Sequence, residues 1–136
     1  MLKLSKSLEY SLLALIHISK NDNDSITSSK VISEKLNISY ELLSKLLQKL
    51  SRNGIIKSQQ GKFGGYTLNV PSNELSLYQI INAIEENIKL VDCTHSLATK
   101  DDCNKINDCQ IREPFYDIQN KIISIFESVT LEQLSN

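Results

Sequence analysis

Apolar residues recur at helical spacing in the first part of the chain and predict three helices. Residues 4–19 carry a broad apolar face of Leu and Ile, and a cluster of Asn and Asp at 21–24 then predicts a loop. A short second helix is expected after a capping residue at Thr27 or Ser28. A third helix, over residues 40–52, has five leucines on one buried stripe.

Two short strands are predicted after the third helix. That helix is expected to end at Asn53-Gly54, because a left-handed C-terminal cap favours Gly. Residues 55–60 and 66–70 read as strands on either side of a glycine-rich hairpin turn at 61–65. Pro71 is expected to stop the second strand, since Pro cannot donate to a sheet.

The second half of the chain predicts more helix around an irregular segment. Ser76 is expected to cap a helix whose apolar positions continue to Ile88. Residues 92–110 are polar, follow no period and hold all three cysteines. From 111 to about 129 the apolar residues repeat at helical intervals, which predicts a long helix with a wide apolar face.

This order of elements predicts a mainly α fold: a winged helix-turn-helix followed by a C-terminal extension. We place the DNA-binding domain at residues 1–71, with its helix-turn-helix at 28–52 and its wing at 55–70. The extension, residues 72–136, holds the cysteine loop (92–110) and the long helix (111–130).

The charge distribution separates these two parts. The 136 residues have a net charge of −1, which says little about a polyanionic partner. Residues 27–68, however, hold seven basic side chains against two acidic ones, whereas 71–136 hold five against eleven. A basic segment beside an acidic one indicates that the middle of the chain faces a polyanion such as double-stranded DNA.

The remaining composition narrows the class of protein. The N-terminal apolar stretch is too interrupted to span a membrane and lacks a cleavage site, so we expect a cytoplasmic protein with no membrane contact. No phosphate-binding G-x-x-x-x-G-K, no C-x-x-C and no nucleophile motif occurs, so we do not expect an enzyme.

Candidate DNA contacts share polar or small side chains on the helix-turn-helix or the wing. The second helix of such a unit lies in the major groove, and glycines in the wing allow a tight turn and a close approach of backbone to DNA. A merely solvated helix surface is the alternative for any one of them. The candidates are Ser28, Ser39, Tyr40, Ser44, Lys45, Lys49, Arg52, Gln60, Lys62, Gly64 and Gly65.

Three cysteines, Cys93, Cys103 and Cys109, are the candidate ligands of a metal group. An odd number is a poor disulfide framework in a reducing compartment, and thiolates are the soft ligands that iron–sulfur clusters and zinc take. A structural zinc ribbon uses close C-x-x-C pairs, which are missing here. Unconnected free thiols, zinc with His95 as fourth ligand, and a cluster-free thiol switch remain as alternatives.

Four stretches of the chain resemble the family of winged-helix regulators typified by IscR, NsrR and CymR. They are MLKLSKSLEYSLLALI, ISYELLSKLLQKLSRNGIIKSQQGKFGGYTLNVP, LSLYQIINAIEENIKLVDC and CNKINDCQIREPFYDIQNKI, and the second contains the G-x-x-G-G-Y wing motif. The resemblance implies a homodimer held by the long C-terminal helix, which binds a two-fold operator and usually represses transcription. It also implies, in the cluster-binding members, an iron–sulfur cluster on three cysteines of this loop, 2Fe-2S or 4Fe-4S, with zinc as a minor alternative.

The chain departs from that pattern at several positions. IscR-like members have Arg where Gln60 stands, Glu where Ser44 stands, and a cluster-ligating His where this chain has Arg112, which cannot ligate. In NsrR-like members a carboxylate of the partner subunit supplies the fourth ligand, and the resemblance places Glu9 there. Alternatively, Glu9 is a solvated carboxylate on the surface of its helix and ligates nothing. The fourth ligand would then be a residue near the cysteines, and the candidates are Asp92, Asp108 and His95.

The sequence therefore predicts a regulator whose operator binding responds to iron–sulfur status, nitric oxide or redox stress. Two other mechanisms stay open: a cluster-free regulator that responds to thiol chemistry or zinc, and an adaptor of the CymR type that is controlled by a protein partner.

Overall fold

Six helices and one two-stranded sheet make up the part of the chain that the structure, a computed structural model, describes: residues 3–21, 25–94 and 98–136. In chain order they are α1 (Lys6–Lys20), α2 (Ser29–Leu36), α3 (Tyr40–Arg52), β1 (Ile56–Gln59), β2 (Gly65–Leu68), α4 (Leu77–Glu85), α5 (Arg112–Ser128) and α6 (Leu131–Ser135). The predicted mainly helical winged helix-turn-helix is confirmed.

Serine side chains begin three of the helices. The Ser5 hydroxyl accepts from the Leu8 amide at the start of α1, and Ser28 accepts from Val31 at the start of α2. Ser76 begins α4 with a full capping box, in which Gln79 reaches back to the backbone amide of Ser76. Ser28 and Ser76 are thus the caps that the sequence predicted.

The wing is a short antiparallel hairpin. Ile56 pairs with Leu68 at one end of the ladder and Gln59 pairs with Gly65 at the other. The second strand ends at Leu68, before the predicted limit and before Pro71. The Asn69 amide still donates to the carbonyl of Ile55, in register with the Ile56–Leu68 pair, and the chain then bends at residues 69–70, just before Pro71.

The core lies among α1, α2, α3 and the strands, and α4 and α6 complete it. Its fully buried side chains are mostly Leu and Ile, in agreement with the apolar stripes of the sequence. The largest are Leu8, Leu15, Ile32, Leu43, Leu47, Leu50, Ile56, Leu75, Ile80 and Leu131.

The C-terminal helix α6 was not predicted. Leu131, its first residue, has no exposed surface, and its amide donates to the carbonyl of Leu75 across 2.9 Å. The Leu77 amide donates in turn to the carbonyl of Val129, so the end of the chain is fastened to the beginning of α4. One buried leucine in five residues is too short a pattern to reveal a helix from sequence.

Helix α4 ends three residues earlier than its apolar pattern suggested. Glu86 follows it with φ 65° and ψ −39°, a conformation that L-residues rarely adopt. Beyond it, residues 86–94 and 98–111 contain turns but no helix or strand, as the polar composition of this segment predicted. No helix of the described residues is long and apolar enough to cross a membrane.

Candidate nucleic-acid interface and cysteine segment

The polar face of α3 is produced by its leucine stripe. Leu43, Leu46, Leu47 and Leu50 are buried, and the exposed residues between them are Lys45, Gln48 and Lys49. Ser39 and Lys45 are exposed, and just over half of the Tyr40 side chain is exposed. The beginning of α3 therefore presents hydroxyl and amine groups to solvent, as an element that enters the major groove would.

Tyr40 links this end of α3 to α2. Hydrogen bonds from the Ser29 hydroxyl, and to a lesser degree from Ser44, lower the pKa of the Tyr40 phenol. The Ser44 Oγ is nevertheless buried and has no hydrogen bond of normal geometry. The sequence placed Ser44 outward or at the margin of the helix, and the structure has it half-buried, with its hydroxyl oxygen turned away from solvent.

The basic candidates differ in their surroundings. Lys45, Arg52 and Lys62 have exposed side chains, which suits phosphate contacts. Lys49 is exposed as well, but its Nζ lies 3.5 Å from the carbonyl oxygen of Ile84, at the end of α4. Ser28 is half-buried, and its hydroxyl is used as the cap of α2.

Two glycines of the wing are required by close approaches of backbone to backbone. A Cβ on Gly64 would lie 2.3 Å from the carbonyl oxygen of Gln59, and one on Gly65 would lie 2.4 Å from that of Thr27. Thr27 and Tyr66 exchange backbone hydrogen bonds of 3.1 and 2.8 Å beside them. The sequence assigned these glycines to an approach toward DNA, whereas the contact they permit here is with Gln59 and Thr27.

The tip of the wing carries a residue that sequence reasoning missed. Phe63 is 85% exposed, more than any other large apolar side chain among the described residues. The Nζ of Lys62 lies 5.8 Å from the centre of its ring. Gln60 and Lys62 are both exposed beside it. A bulky apolar residue inside a glycine-rich turn was the signal that could have revealed it.

The three cysteines lie in the segment between α4 and α5, and all are free thiols. Cys93 is buried, whereas Cys103 and Cys109 are half-buried. Among the described residues no group of three or more His, Cys, Asp or Glu side chains is placed to hold a metal ion. The donor type fits an iron–sulfur cluster, but one chain in this conformation does not bring the three thiols together.

Helix α5 holds the first cysteine by its backbone. The Nε of Arg112 lies 3.5 Å from the carbonyl oxygen of Cys93, and Gln119 bonds to Leu90 and Thr94 on either side of it. Arg112 stands where IscR-like members have a cluster-ligating His. It cannot ligate a cluster, but here it contacts the backbone of the cysteine segment.

The other ligand candidates are scattered. Glu9 lies in the first turn of α1, where its carboxylate accepts from the Nζ of Lys6 across 2.7 Å. Asp92 and Asp108 are exposed. His95 lies outside the described residues.

Comparison with known proteins identifies the family. The model of the Rrf2 family, described as iron-dependent transcriptional regulators, matches residues 4–136. The chain belongs to the Rrf2 family. Its resemblance to IscR- and CymR-like regulators is therefore confirmed, and so is its assignment as a regulator of transcription and not an enzyme.

Individual Rrf2 relatives agree with this assignment. A Haemophilus influenzae protein named as an HTH-type transcriptional regulator is 33% identical over 135 residues, which cover 99% of this chain and 87% of that protein. IscR of Yersinia pseudotuberculosis is 26% identical over 135 residues, 99% of this chain and 80% of its own. CymR, the global cysteine regulator of B. subtilis, has a solved structure that superposes with a TM-score of 0.77 at 27% identity, covering 99% of this chain and 97% of that one.

Proposed function

We propose that this Rrf2 protein is a cytoplasmic homodimeric repressor that binds a two-fold operator in double-stranded DNA and is controlled through its three-cysteine segment. The observation that carries the proposal is the placement of three free thiols between α4, which packs against α3, and α5, the helix with the widest exposed apolar face.

The apolar surface of α5 supports the homodimer. In this helix of 17 residues only Gln119 is buried, while Ile118 and Ile125 are about half exposed. A groove of about 790 Å³ runs beside Ile122 and Ile125 to the beginning of α1, and its lining is mainly apolar. Exposed apolar surface of this extent indicates an interface, and a second copy of the chain would present the same surface in return.

The contacts with DNA follow from the exposed faces. The beginning of α3, with Ser39, Tyr40 and Lys45, enters the major groove, while Arg52 contacts phosphate. The wing reaches the minor groove with Lys62 and Phe63 at its tip. In a symmetric dimer these two contacts are repeated at both half-sites of the operator.

An iron–sulfur cluster, 2Fe-2S or 4Fe-4S, is the group we propose for the cysteines. It would supply a redox- and nitric-oxide-sensitive centre, with Cys93, Cys103 and Cys109 as its thiolate ligands. Cys93 is buried at 7% exposure, so its segment has to move before its thiol can ligate the same cluster as Cys103 and Cys109.

Glu9 of the partner subunit is the proposed fourth ligand. Its ion pair with Lys6 lies on the surface, with 37% of the Glu9 side chain exposed, so little is lost when the carboxylate changes partner. Glu9→Ala should alter the cluster spectrum and its loss on exposure to nitric oxide, and Lys6→Ala serves as control. An unchanged spectrum and response in Glu9→Ala would eliminate Glu9 as ligand.

The decisive experiment is purification of the full chain without oxygen, followed by analysis of iron, acid-labile sulfide and zinc. We expect iron and sulfide in equal amounts, a visible absorption spectrum, and a change in operator affinity when the cluster is removed. The cluster-controlled mechanism would be refuted if the protein contained zinc in place of iron and sulfide, or if its DNA affinity were the same with and without the metal.

A second candidate is control without a cluster, by thiol chemistry or by a protein partner as proposed for CymR-like members. The observation that favours it is Arg112, which contacts the backbone of Cys93 at the position where the family resemblance places a cluster-ligating His. Metal-free purified protein whose DNA binding responds to a thiol oxidant, or to a partner protein, would support this candidate.

A further inference from the structure

Gln119 is the one buried residue of α5, and no sequence motif singled it out. Its side chain is 5% exposed in a helix whose other residues are partly or fully exposed. A buried amide side chain is stable only when its donors and acceptors find partners. The partners of Gln119 all belong to the segment that leads to the first cysteine.

Three hydrogen bonds join this amide to residues 90–94. The Gln119 Oε1 accepts from the Leu90 backbone amide across 3.0 Å, and it lies 2.6 Å from the Thr94 hydroxyl, whose single hydrogen it shares with the Val91 carbonyl oxygen at 2.7 Å. The Gln119 Nε2 donates to the Thr94 carbonyl across 3.1 Å. Thr94 itself is 1% exposed, so these bonds are closed to water. We call this arrangement the Gln119 clamp.

Cys93 lies inside the clamp, between the two residues that Gln119 holds. Its thiol is nearly buried, and its carbonyl oxygen is the one that the Arg112 side chain approaches. The backbone on both sides of Cys93 is bonded to Gln119, so release of residues 90–94 from α5 would free the segment that carries the sulfur. That movement breaks the three bonds of Gln119 together and leaves buried polar groups without partners, which is costly.

We propose that Gln119 is a positioning residue that shields Cys93 and couples its chemical state to α5. The proposal rests on the proposed function in one respect, since it assumes that a change at the cysteines is the signal. The clamp gives residues 90–94 two states. In the closed state they are bonded to α5 and the Cys93 thiol is shielded, and in the open state the thiol is available. Because α5 carries the proposed dimer surface, opening the clamp alters that helix first.

The test measures the alkylation rate of each cysteine separately, by mass spectrometry. The sample is the reduced, metal-free full chain, and the reagent is iodoacetamide. In the wild-type protein we expect Cys93 to react more slowly than Cys103 and Cys109. Gln119→Ala should raise the rate at Cys93 by about tenfold or more, because the clamp no longer opposes opening, and should leave the other two within about twofold.

Three further variants separate positioning from a general loss of structure. Thr94→Val removes only the hydroxyl, so it should raise the Cys93 rate less than Gln119→Ala does. Gln119→Glu buries a carboxylate against the Thr94 carbonyl oxygen, so it should raise the rate at least as much as Gln119→Ala does. Asn120→Ala, at an exposed position of the same helix, should change none of the rates. An unchanged Cys93 rate in Gln119→Ala, or a parallel rise at all three cysteines, overturns the proposal.

Operator binding provides the second readout. With the proposal correct, alkylation changes the DNA affinity of the wild-type protein, and reduced Gln119→Ala, whose clamp is already open, binds DNA with an affinity shifted toward that of the alkylated wild type. If alkylation of the cysteines leaves the operator affinity of the wild-type protein unchanged, the proposed function is refuted, and so is the coupling of Cys93 to α5. The shielding of Cys93 is decided independently, by the alkylation rates.

Discussion

The Nζ of Lys49 lies within hydrogen-bond distance, 3.5 Å, of the carbonyl oxygen of Ile84. The last carbonyls of a helix lack partners within the helix and carry partial negative charge, so a lysine is favourable there. Glu85, the next residue, accepts a hydrogen bond from Ser5, the cap of α1. The end of α4 thus contacts both α3 and the cap of α1, at the point where the chain turns toward Cys93.

This relationship predicts a difference between two lysines in DNA binding. Lys62→Ala should weaken binding to any sequence and reduce the slope of log affinity against log salt by about 0.9, as expected for one lost phosphate contact. Lys49→Ala should change the slope less, because the amine is directed toward Ile84. Fluorescence anisotropy over a range of salt concentrations measures both slopes, and equal reductions would contradict the prediction.

Phe63 should matter for DNA binding and not for folding. With 85% of its surface exposed, replacement by Ala removes little packing, so the free energy of unfolding should change by less than about 0.5 kcal/mol. Loss of an apolar side chain from the minor groove should weaken operator binding by about threefold to tenfold. Thermal melting and gel-shift titration test the two halves, and an unchanged affinity would place the wing tip outside the interface.

Charge on the apolar face of α5 should separate the dimer. Ile118→Glu and Ile125→Glu each place a carboxylate on surface that is 44% and 59% exposed in the single chain, so folding of the monomer should survive while association does not. Analytical ultracentrifugation should show a dimer for the wild type and monomers for both variants, and the variants should lose binding to a full operator. Asn120→Glu, an equal change of charge at another exposed position, should remain dimeric.

Replacement of Glu86 by glycine should stabilise the protein. Its φ of 65° and ψ of −39° are unfavourable for a residue with a Cβ, so Glu86→Gly should raise the free energy of unfolding by about 0.5–1 kcal/mol. Glu85→Gly, one residue earlier and inside α4, should lower it by a similar amount. Urea denaturation compares the two variants, and a loss of stability in both would show that Glu86 makes a contact worth more than its backbone strain.

Gly65 should tolerate no side chain. The Cβ of Gly65→Ala would lie 2.4 Å from the Thr27 carbonyl oxygen, a backbone atom that cannot move without breaking the Thr27–Tyr66 pair. We expect a loss of about 1–3 kcal/mol in the free energy of unfolding and a displaced wing with weaker DNA binding. Ser58→Ala, at an exposed position of β1, is the control and should leave both measurements unchanged.

Local patterns predicted most of the elements. The leucine stripe of α3, the Ser28 and Ser76 caps, and the glycine-rich turn each act over a few neighbouring residues, so their physical effect can be read from the sequence. The predictions failed for elements whose position depends on residues far away in the chain. Helix α6 depends on Leu131 reaching the core beside Leu75.

The functional site divides in the same way. The sequence determined that the chain carries a DNA-reading unit and three thiols, because residue type and spacing are sufficient for both. Only the tertiary structure decided that the Ser44 hydroxyl is buried, that Gly65 faces Thr27, and that Gln119 bonds to Leu90 and Thr94 on either side of Cys93. These relationships join residues far apart in the chain, and packing and burial of polar groups, which no local pattern encodes, determine them.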